Sequence, residues 1–583
     1  MFKALSKYPF HAHQIRNAVE LVCVIVAHVL LILFFYNRFW YPPDEGNYAH
    51  VAQRLLNGEI LNLQIQDVHA GYINFVNAAA LGLFGSDLVS LRYPLAVIAV
   101  GGATLVFLLF QRQGRNKVGW VASLAMSAFG VIQFLNPTSN WYALFLAVTI
   151  VCVLEWIPRE SRTRLLILGL LLGTLTLFRQ LSGVLVSIGV FAYLLTETRS
   201  YNNNARDLVL ARAAIVVMGL GLAWYLLRIT DLRTLVPFGL APLAFLIWLF
   251  GKTTTENRQF IKIIGWLALG VIIASLPLVL YHLLHNSTQA WINDSFITAF
   301  NLTKLPFMDQ QLYGKLTTAG FSQFIRARNI GEVLNGFYWF VLPLLAFLNG
   351  IAVIRSISRD PGLRRRSYTL PILSIFFAIV SVHFQIPIYL YYSASLSVAS
   401  LLWLIPDNSK LMYGAAPAIL LLSGIAIYYH AAQPVSGLKA AFEGNRTIFS
   451  LNNENTALPR SQLKIDPQER ERYLELLQVI ETETKPDEAI FAFPSNAELY
   501  FLSGRRNPFR FYNTALGIRN DGDFQQVREA ILSNPPAIVI YRPDDKYNTG
   551  YSRELIKLIK EHYGLLTQVS GFEIYRSQRA GTL

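Results

Sequence analysis

Cysteine is almost absent from these 583 residues: there are two, Cys23 and Cys152, and both fall inside apolar runs. A disulfide-stapled framework is therefore excluded. Charge is scarce as well, at 15% of positions against about 25% in soluble globular domains. Acids are fewer than bases, 36 against 50, which leaves a net charge of +14. That excess does not point to nucleic acid, because Lys and Arg come in short clusters between apolar runs and form no basic stripe with interleaved aromatics. No internal repeat is evident either.

What the chain has in abundance is apolar surface, with 53% hydrophobic and 13% aromatic residues. This composition identifies a mainly α polytopic membrane protein. A membrane-length window finds about thirteen spans, with cores near 19–38, 88–110, 118–135, 141–157, 164–179, 182–196, 208–228, 235–250, 260–283, 334–354, 368–384, 389–405 and 411–430. Lys3, Lys7, His11, His13 and Arg16 precede a first run too long for a signal-peptide core, so it reads as an uncleaved first helix. The connections sort by charge. One side receives the N-terminal bases, Arg112/Arg115/Lys117, Arg159/Arg162/Arg164, Arg199/Arg206, Lys252/Arg258, Arg355/Arg359 with Arg364-Arg365-Arg366, and Lys410, and the positive-inside bias makes it cytoplasmic. The other side receives the loop from Phe39 to Ser90, the loop from His285 to Glu332, and everything after about His430.

The tail departs from the rest. A polar linker is expected at 434–460, followed at 461–583 by a small soluble α/β domain, while 1–433 form the multi-span module. Helices are expected at Gln468 to Thr484, Asp523 to Ser533 and Arg553 to His562, and strands at Ala489 to Phe493, Ala537 to Tyr541 and Phe572 to Tyr575. This domain has no Gly-rich phosphate loop, no CxxC and no HExxH.

The first outer loop, 39–90, is where chemistry is most legible. An acidic pair, Asp44-Glu45, stands just past the first apolar run, at the water boundary. A short surface helix ended by Asn57-Gly58 follows, then Asp67, His69 and Gly71-Tyr72, a second amphipathic stretch closing on Leu83-Phe84-Gly85, and Leu91-Arg92 at the start of the second span. Long loops with internal helices are more often functional than incidental.

The order acidic pair, Tyr-Ala-x-x-Ala-x-x-Leu-x-x-Gly-Glu, Asp-x-His, Gly-Tyr, Leu-Phe-Gly, Leu-Arg resembles the first periplasmic loop of the GT-C glycosyltransferases. The most similar members are bacterial family 39/83 enzymes, including lipid A aminoarabinose transferases, kin to protein O-mannosyltransferases. The resemblance implies a sugar moved from a polyprenyl-phosphate carrier to a lipid, glycan or protein acceptor at the outer face of the membrane. It also implies a bacterial inner membrane, in which the charge bias and the odd number of spans put the N-terminus in the cytoplasm and the C-terminal domain in the periplasm. The sequons at Asn286, Asn301 and Asn445 leave an endoplasmic reticulum formally open. In one respect the chain departs from its relatives: many carry Lys-Pro-Pro where it has His69-Ala70-Gly71, so a lysine that would neutralise the donor phosphate is missing from its place.

Inverting transfer needs the acceptor deprotonated and aligned, which makes Asp44 the candidate general base; the plain alternative is a cap for the surface helix. Glu45 and Asp67 are candidates for acceptor or metal support. The leaving phosphate needs positive partners, for which His69, Arg92 and Arg179 are the candidates. Arg179 equally fits a snorkelling anchor, and Arg92 a structural partner for a loop acid. His383, Gln385 and Tyr391 are candidate lipid or sugar contacts near the outer ends of two spans. A divalent metal is left open, since no tight His/Asp spacing is present. The rival readings are a secondary transporter, which would place charges at mid-membrane in repeated, broken helices, and a non-catalytic membrane scaffold.

Overall fold

The computed structural model describes residues 9–197, 205–302, 312–359, 368–431 and 458–578. Lys3, Lys7, Arg199, Arg364-Arg365-Arg366, the Asn445 sequon and most of the expected linker lie outside the described residues. The body begins with α1 (Pro9–Phe35), α2 (Pro42–Leu56), α3 (Tyr72–Phe84), α4 (Arg92–Gln111), α5 (Asn116–Ala128), α6 (Ser139–Trp156), α7 (Arg162–Phe178), α8 (Gln180–Glu197), α9 (Val209–Ile229), α10 (Leu232–Lys252) and α11 (Asn257–Leu284).

Ten helices among the described residues are long and apolar enough to cross a bilayer, from Gln14–Phe35 to Lys410–Ala431. The other three expected spans are also helical but shorter. α7 has 17 residues, which at about 1.5 Å per residue reaches roughly 26 Å against a hydrocarbon core of about 30 Å. Thr369–His383 and Ile388–Leu404 are likewise short. The shortfall has a local cause: Arg179 after α7 (φ −148°) and Phe384 after the Thr369–His383 helix are extended, so the backbone leaves the helix there. These breaks open the space described in the next subsection.

Small residues set one close helix crossing. α7 and α11 pack through Gly169 and Gly270, and a Cβ added at either would lie 2.3 or 2.4 Å from a backbone carbonyl of the other helix. Such contact between backbones is a recurrent way of joining membrane helices, where apolar side chains gain little by leaving lipid.

The connections between helices gather at two ends of the bundle. At one end Arg115 pairs with Asp407 at 2.7 Å, and Arg164 with Glu197 at 2.7 Å. At the other, the three segments expected outside meet: Arg54 Nη1 of α2 donates to Phe509 O at 3.0 Å, Leu88 N donates to Arg460 O at 3.0 Å, and Arg510 pairs with Asp294. α2 and α3 pack on each other and share one apolar cluster with the C-terminal domain, including Trp40, Leu61, Leu463, Leu476 and Ile540.

That domain holds a four-stranded sheet of β1 (Ile490–Phe493), β2 (Ile538–Tyr541), β3 (Tyr563–Val569) and β4 (Phe572–Ser577) in the order β1-β2-β4-β3. β1 and β2 are parallel, with Ile490 opposite Ile538, and β4 is antiparallel to both of its neighbours. β1 and β2 are buried throughout, whereas β3 is an edge strand with only Tyr563 buried. Helices Pro467–Glu483, Asp521–Ser533 and Gly550–His562 match the expected ones within a few residues.

Candidate active site

The acidic pair sits inside α2 rather than before it. Pro42 and Pro43 open the helix, their fixed φ suiting the first turn, and Tyr41 occupies the N-cap position with no side-chain cap. Asp44 is therefore not a cap. Adjacent residues on a helix point about 100° apart, so the two carboxylates diverge. Glu45 turns into the protein, accepting from Arg92 Nε at 2.7 Å and from Tyr41 N at 3.1 Å. Arg92 also donates to the carbonyls of Tyr36, Arg38 and Phe39, at 2.9, 2.7 and 2.5 Å. Both side chains are fully buried. They hold α1, α2 and α4 together and do not line the cavity that Asp44 faces.

That cavity, about 590 Å³, lies between the first loop, the helix breaks and the C-terminal domain. Of the residues expected to act, Asp44, Asp67, His69 and Arg179 line it. Asp44 Oδ2 accepts from Asn136 Nδ2 at 3.3 Å. Burial pushes the Asp44 carboxyl above its usual range, and the positive charges of Lys546 and His69 oppose that shift. A base so placed binds a proton more readily than a free aspartate.

Asp67 and His69 form a dyad. His69 Nδ1 lies 2.8 Å from Asp67 Oδ1, and the His69 backbone N–H donates to the same oxygen at 3.0 Å. Burial alone would push the Asp67 carboxyl up; the charge of His69 and its two N–H groups outweigh that and hold it below the usual range. The strap carrying the dyad is pinned by Gln180 Nε2 donating to Val68 O at 2.9 Å and by Ser295 Oγ donating to His69 O at 2.8 Å. Among the described residues no three His, Cys, Asp or Glu side chains come together to hold a metal ion.

Arg179 stands at the break between α7 and α8. Its Nη2 donates to Tyr389 Oη at 2.8 Å, while its buried Nε has no partner among the described residues. It lines a second, mostly apolar cavity of about 460 Å³ between α8 and α9, which also includes Val68, Leu222, Trp224, His383 and Phe384. The two cavities share Arg179, so the guanidinium marks their junction.

The remaining expected contacts divide. His383 lines the apolar cavity, its Nδ1 2.8 Å from Tyr225 Oη. Gln385 is instead buried, donating to Ile229 O at 3.2 Å and accepting from Tyr313 N at 3.1 Å. Tyr391 packs against Tyr338 and faces neither cavity; its neighbours Tyr389 and Tyr392 line the polar one. Arg326 and Arg328 lie outside both.

Two groups of lining residues escaped the sequence reading. The turn between α5 and α6 brings Asn136, Thr138 and Asn140, whose only sequence signal is a polar run, Asn-Pro-Thr-Ser-Asn, between two apolar spans. The Oδ1 atoms of Asn136 and Asn140 are buried without a partner among the described residues. The C-terminal domain adds Tyr512, Asn513, Lys546 and Tyr547, which no local pattern separates from ordinary loop residues. Buried amide oxygens and phenols match sugar hydroxyls, which need both donors and acceptors.

The stretch 69–224 matches the model of the dolichyl-phosphate-mannose-protein mannosyltransferase family. No curated protein matches the sequence. Among solved structures, the chain is similar to ArnT from Cupriavidus metallidurans bound to undecaprenyl phosphate, with 13% identity over 96% of this chain and 97% of that one and a TM-score of 0.39. It is similar to the apo state of the same protein, at 12% identity over 96% and 98% with a TM-score of 0.40. It is also similar to an Archaeoglobus fulgidus oligosaccharyltransferase complexed with zinc and sulfate, at 14% identity over 96% and 73% with a TM-score of 0.41. Scores at this level align chains along their length without pairing individual residues, so no role passes from those proteins to this one.

Proposed function

We propose that this chain is a glycosyltransferase of the GT-C superfamily and moves a sugar from a polyprenyl-phosphate carrier to a lipid, glycan or protein acceptor at the outer face of a bacterial inner membrane, inverting the anomeric centre. The observation that carries this reading is the junction at Arg179: a polar cavity holding a carboxylate meets an apolar groove open along two membrane helices, and the one guanidinium faces both. A lipid-linked phosphosugar has that same division, with an apolar chain, an anion and a polar head.

In this reading the prenyl chain lies between α8 and α9, and the phosphate meets the guanidinium of Arg179, which lines both cavities. The sugar occupies the polar cavity against Asn136, Asn140 and the tyrosines. Asp44 takes the proton of the acceptor hydroxyl or amine as that atom attacks the anomeric carbon. The bond from that carbon to the phosphate oxygen breaks, and the polyprenyl phosphate leaves with the electron pair, its added charge met by Arg179. One displacement inverts the centre. Glu45 and Arg92 have a structural part here, fixing the first turn of α2 so that Asp44 keeps its direction.

The test is chemical analysis of envelopes from a deletion strain. Loss of the enzyme should make one polyprenyl-phosphate sugar accumulate while one glycosylated product disappears, and plasmid-borne wild type should reverse both. If no lipid-linked sugar accumulates and no glycosylated product is lost, the reading is wrong.

A further inference from the structure

Lys546 is the cavity's second cation, and it comes from a different domain. It stands in the loop between β2 and the Gly550–His562 helix, beside Tyr547. Among the described residues its ammonium has no ion pair or hydrogen bond; it lies 5.1 Å from the centroid of the Tyr547 ring, and its charge acts on Asp44 across the cavity. The neighbouring acid, Asp545, is occupied by the turn itself, accepting from Tyr547 N at 2.9 Å and Ser495 Oγ at 3.4 Å. Lys546 lines the polar cavity and not the groove, and the same holds for Tyr512, Asn513, Leu516 and Tyr547.

This wall is fixed to the body. Gln66 N donates to Arg510 O at 2.8 Å, and Arg510 Nε donates to Asn62 O at 3.2 Å while its Nη2 meets Asp294. Arg519 reaches Thr298 Oγ1 in the second outer segment. At the opposite edge, Gly46 lies so close to Glu498 that an added Cβ would fall 2.5 Å from its backbone. The domain thus closes the cavity at a set distance rather than hovering over it.

Direction then assigns the ligand. The leaving phosphate departs toward the groove, where its lipid chain lies, so an in-line attack brings the acceptor from the far side of the anomeric carbon. Asp44, which takes the acceptor's proton, lines the cavity together with Lys546 and feels that lysine's charge, so the acceptor lies beside the residues that the C-terminal domain contributes. We infer that this domain forms the acceptor half of the site and that Lys546 binds an anionic group, phosphate or carboxylate, carried by the acceptor. The inference rests on the functional reading above. It gives the C-terminal domain a task in substrate choice and makes an acidic acceptor, such as a phosphate-bearing glycan or lipid headgroup, the favoured class.

The test uses the purified full chain and two probes, undecaprenyl phosphate for the donor side and glycerol 3-phosphate, added to protein already saturated with undecaprenyl phosphate, for the acceptor side. Lys546→Ala should weaken glycerol 3-phosphate at least about fivefold, Lys546→Arg should restore it because the charge is kept, and both should hold undecaprenyl phosphate as wild type does. Arg179→Ala should instead weaken undecaprenyl phosphate. Equal glycerol 3-phosphate binding by Lys546→Ala and wild type, or none by either, overturns the inference. Loss of undecaprenyl phosphate by Lys546→Ala to the extent seen in Arg179→Ala also overturns it, because the lysine then serves the donor. If wild type fails to bind undecaprenyl phosphate at all, the functional reading fails first.

Discussion

Replacing Arg92 should cost the protein its stability before it costs any substrate affinity. The guanidinium and the Glu45 carboxylate are both fully buried, and Arg92 also satisfies the carbonyls of Tyr36, Arg38 and Phe39. Arg92→Ala leaves a carboxylate with no counter-charge and three carbonyls without their donor. Breaking a buried pair from one side costs about 3–5 kcal/mol, much of it the desolvation of the charge left behind. Glu45→Gln is milder, because the arginine keeps its three carbonyls, and a cost of about 1–3 kcal/mol is expected for that single lost charge-assisted contact. Arg92→Lys falls between them: the charge survives, but one ammonium cannot span the four acceptors. Thermal unfolding in detergent should therefore rank the variants wild type, Glu45→Gln, Arg92→Lys, Arg92→Ala, with undecaprenyl phosphate affinity unchanged in whatever remains folded. An Arg92→Lys protein of normal stability that had lost undecaprenyl phosphate would refute this reasoning and return Arg92 to the donor phosphate.

Three further outcomes are expected. The base must be ionised to act, and burial raises the Asp44 carboxyl, so kcat/KM should rise with pH and level off above an apparent pKa higher than the roughly 3.9 of free aspartate; Lys546→Ala removes a charge that opposes the shift, and a pH profile should show its limb displaced to higher pH. By the same sign, any stability Asp44 lends is present below the unfolded pKa and lost as pH rises through the folded one. Gly221 lines the apolar groove with open space around it, so Gly221→Leu should reduce undecaprenyl phosphate affinity about tenfold, the effect of roughly 1.4 kcal/mol, without lowering the melting temperature. Gly46→Ala should loosen the C-terminal domain, which limited proteolysis would register as faster cleavage between body and domain, because its methyl group has nowhere to go against Glu498.

The parts of this protein that were legible in its sequence are those written in local pattern. Apolar runs placed every crossing helix, and the α2–α3 loop was marked by Asn57-Gly58, Gly71-Tyr72 and Phe84-Gly85, where the helices do end or begin. Strand β3 was not legible, because Tyr563–Val569 follows its helix with no turn residue between them and mixes exposed with half-buried positions, so no clean alternation stands out. Asp44, Asp67, His69 and Arg179 come together from separate segments, as their chemistry led one to expect. Glu45 and Arg92 show the limit of that reasoning. A carboxylate next to the base and an arginine at the same depth look functional in one dimension, and only the 100° turn of a helix shows that they face one another instead. Lys546 lies 502 residues after Asp44 and 367 after Arg179, and tertiary docking alone brings it there.

The central claim is that Asp44 performs chemistry in a site that binds lipid-linked phosphate. It is tested most directly by Asp44→Asn, which keeps the side chain's size and its contact with Asn136 while removing the base. The variant should bind undecaprenyl phosphate with wild-type affinity and melt at the same temperature or slightly higher. Transfer, measured as consumption of the donor that the deletion strain accumulates, should fall by roughly 10² or more. Normal consumption of that donor by well-folded Asp44→Asn protein would contradict the account.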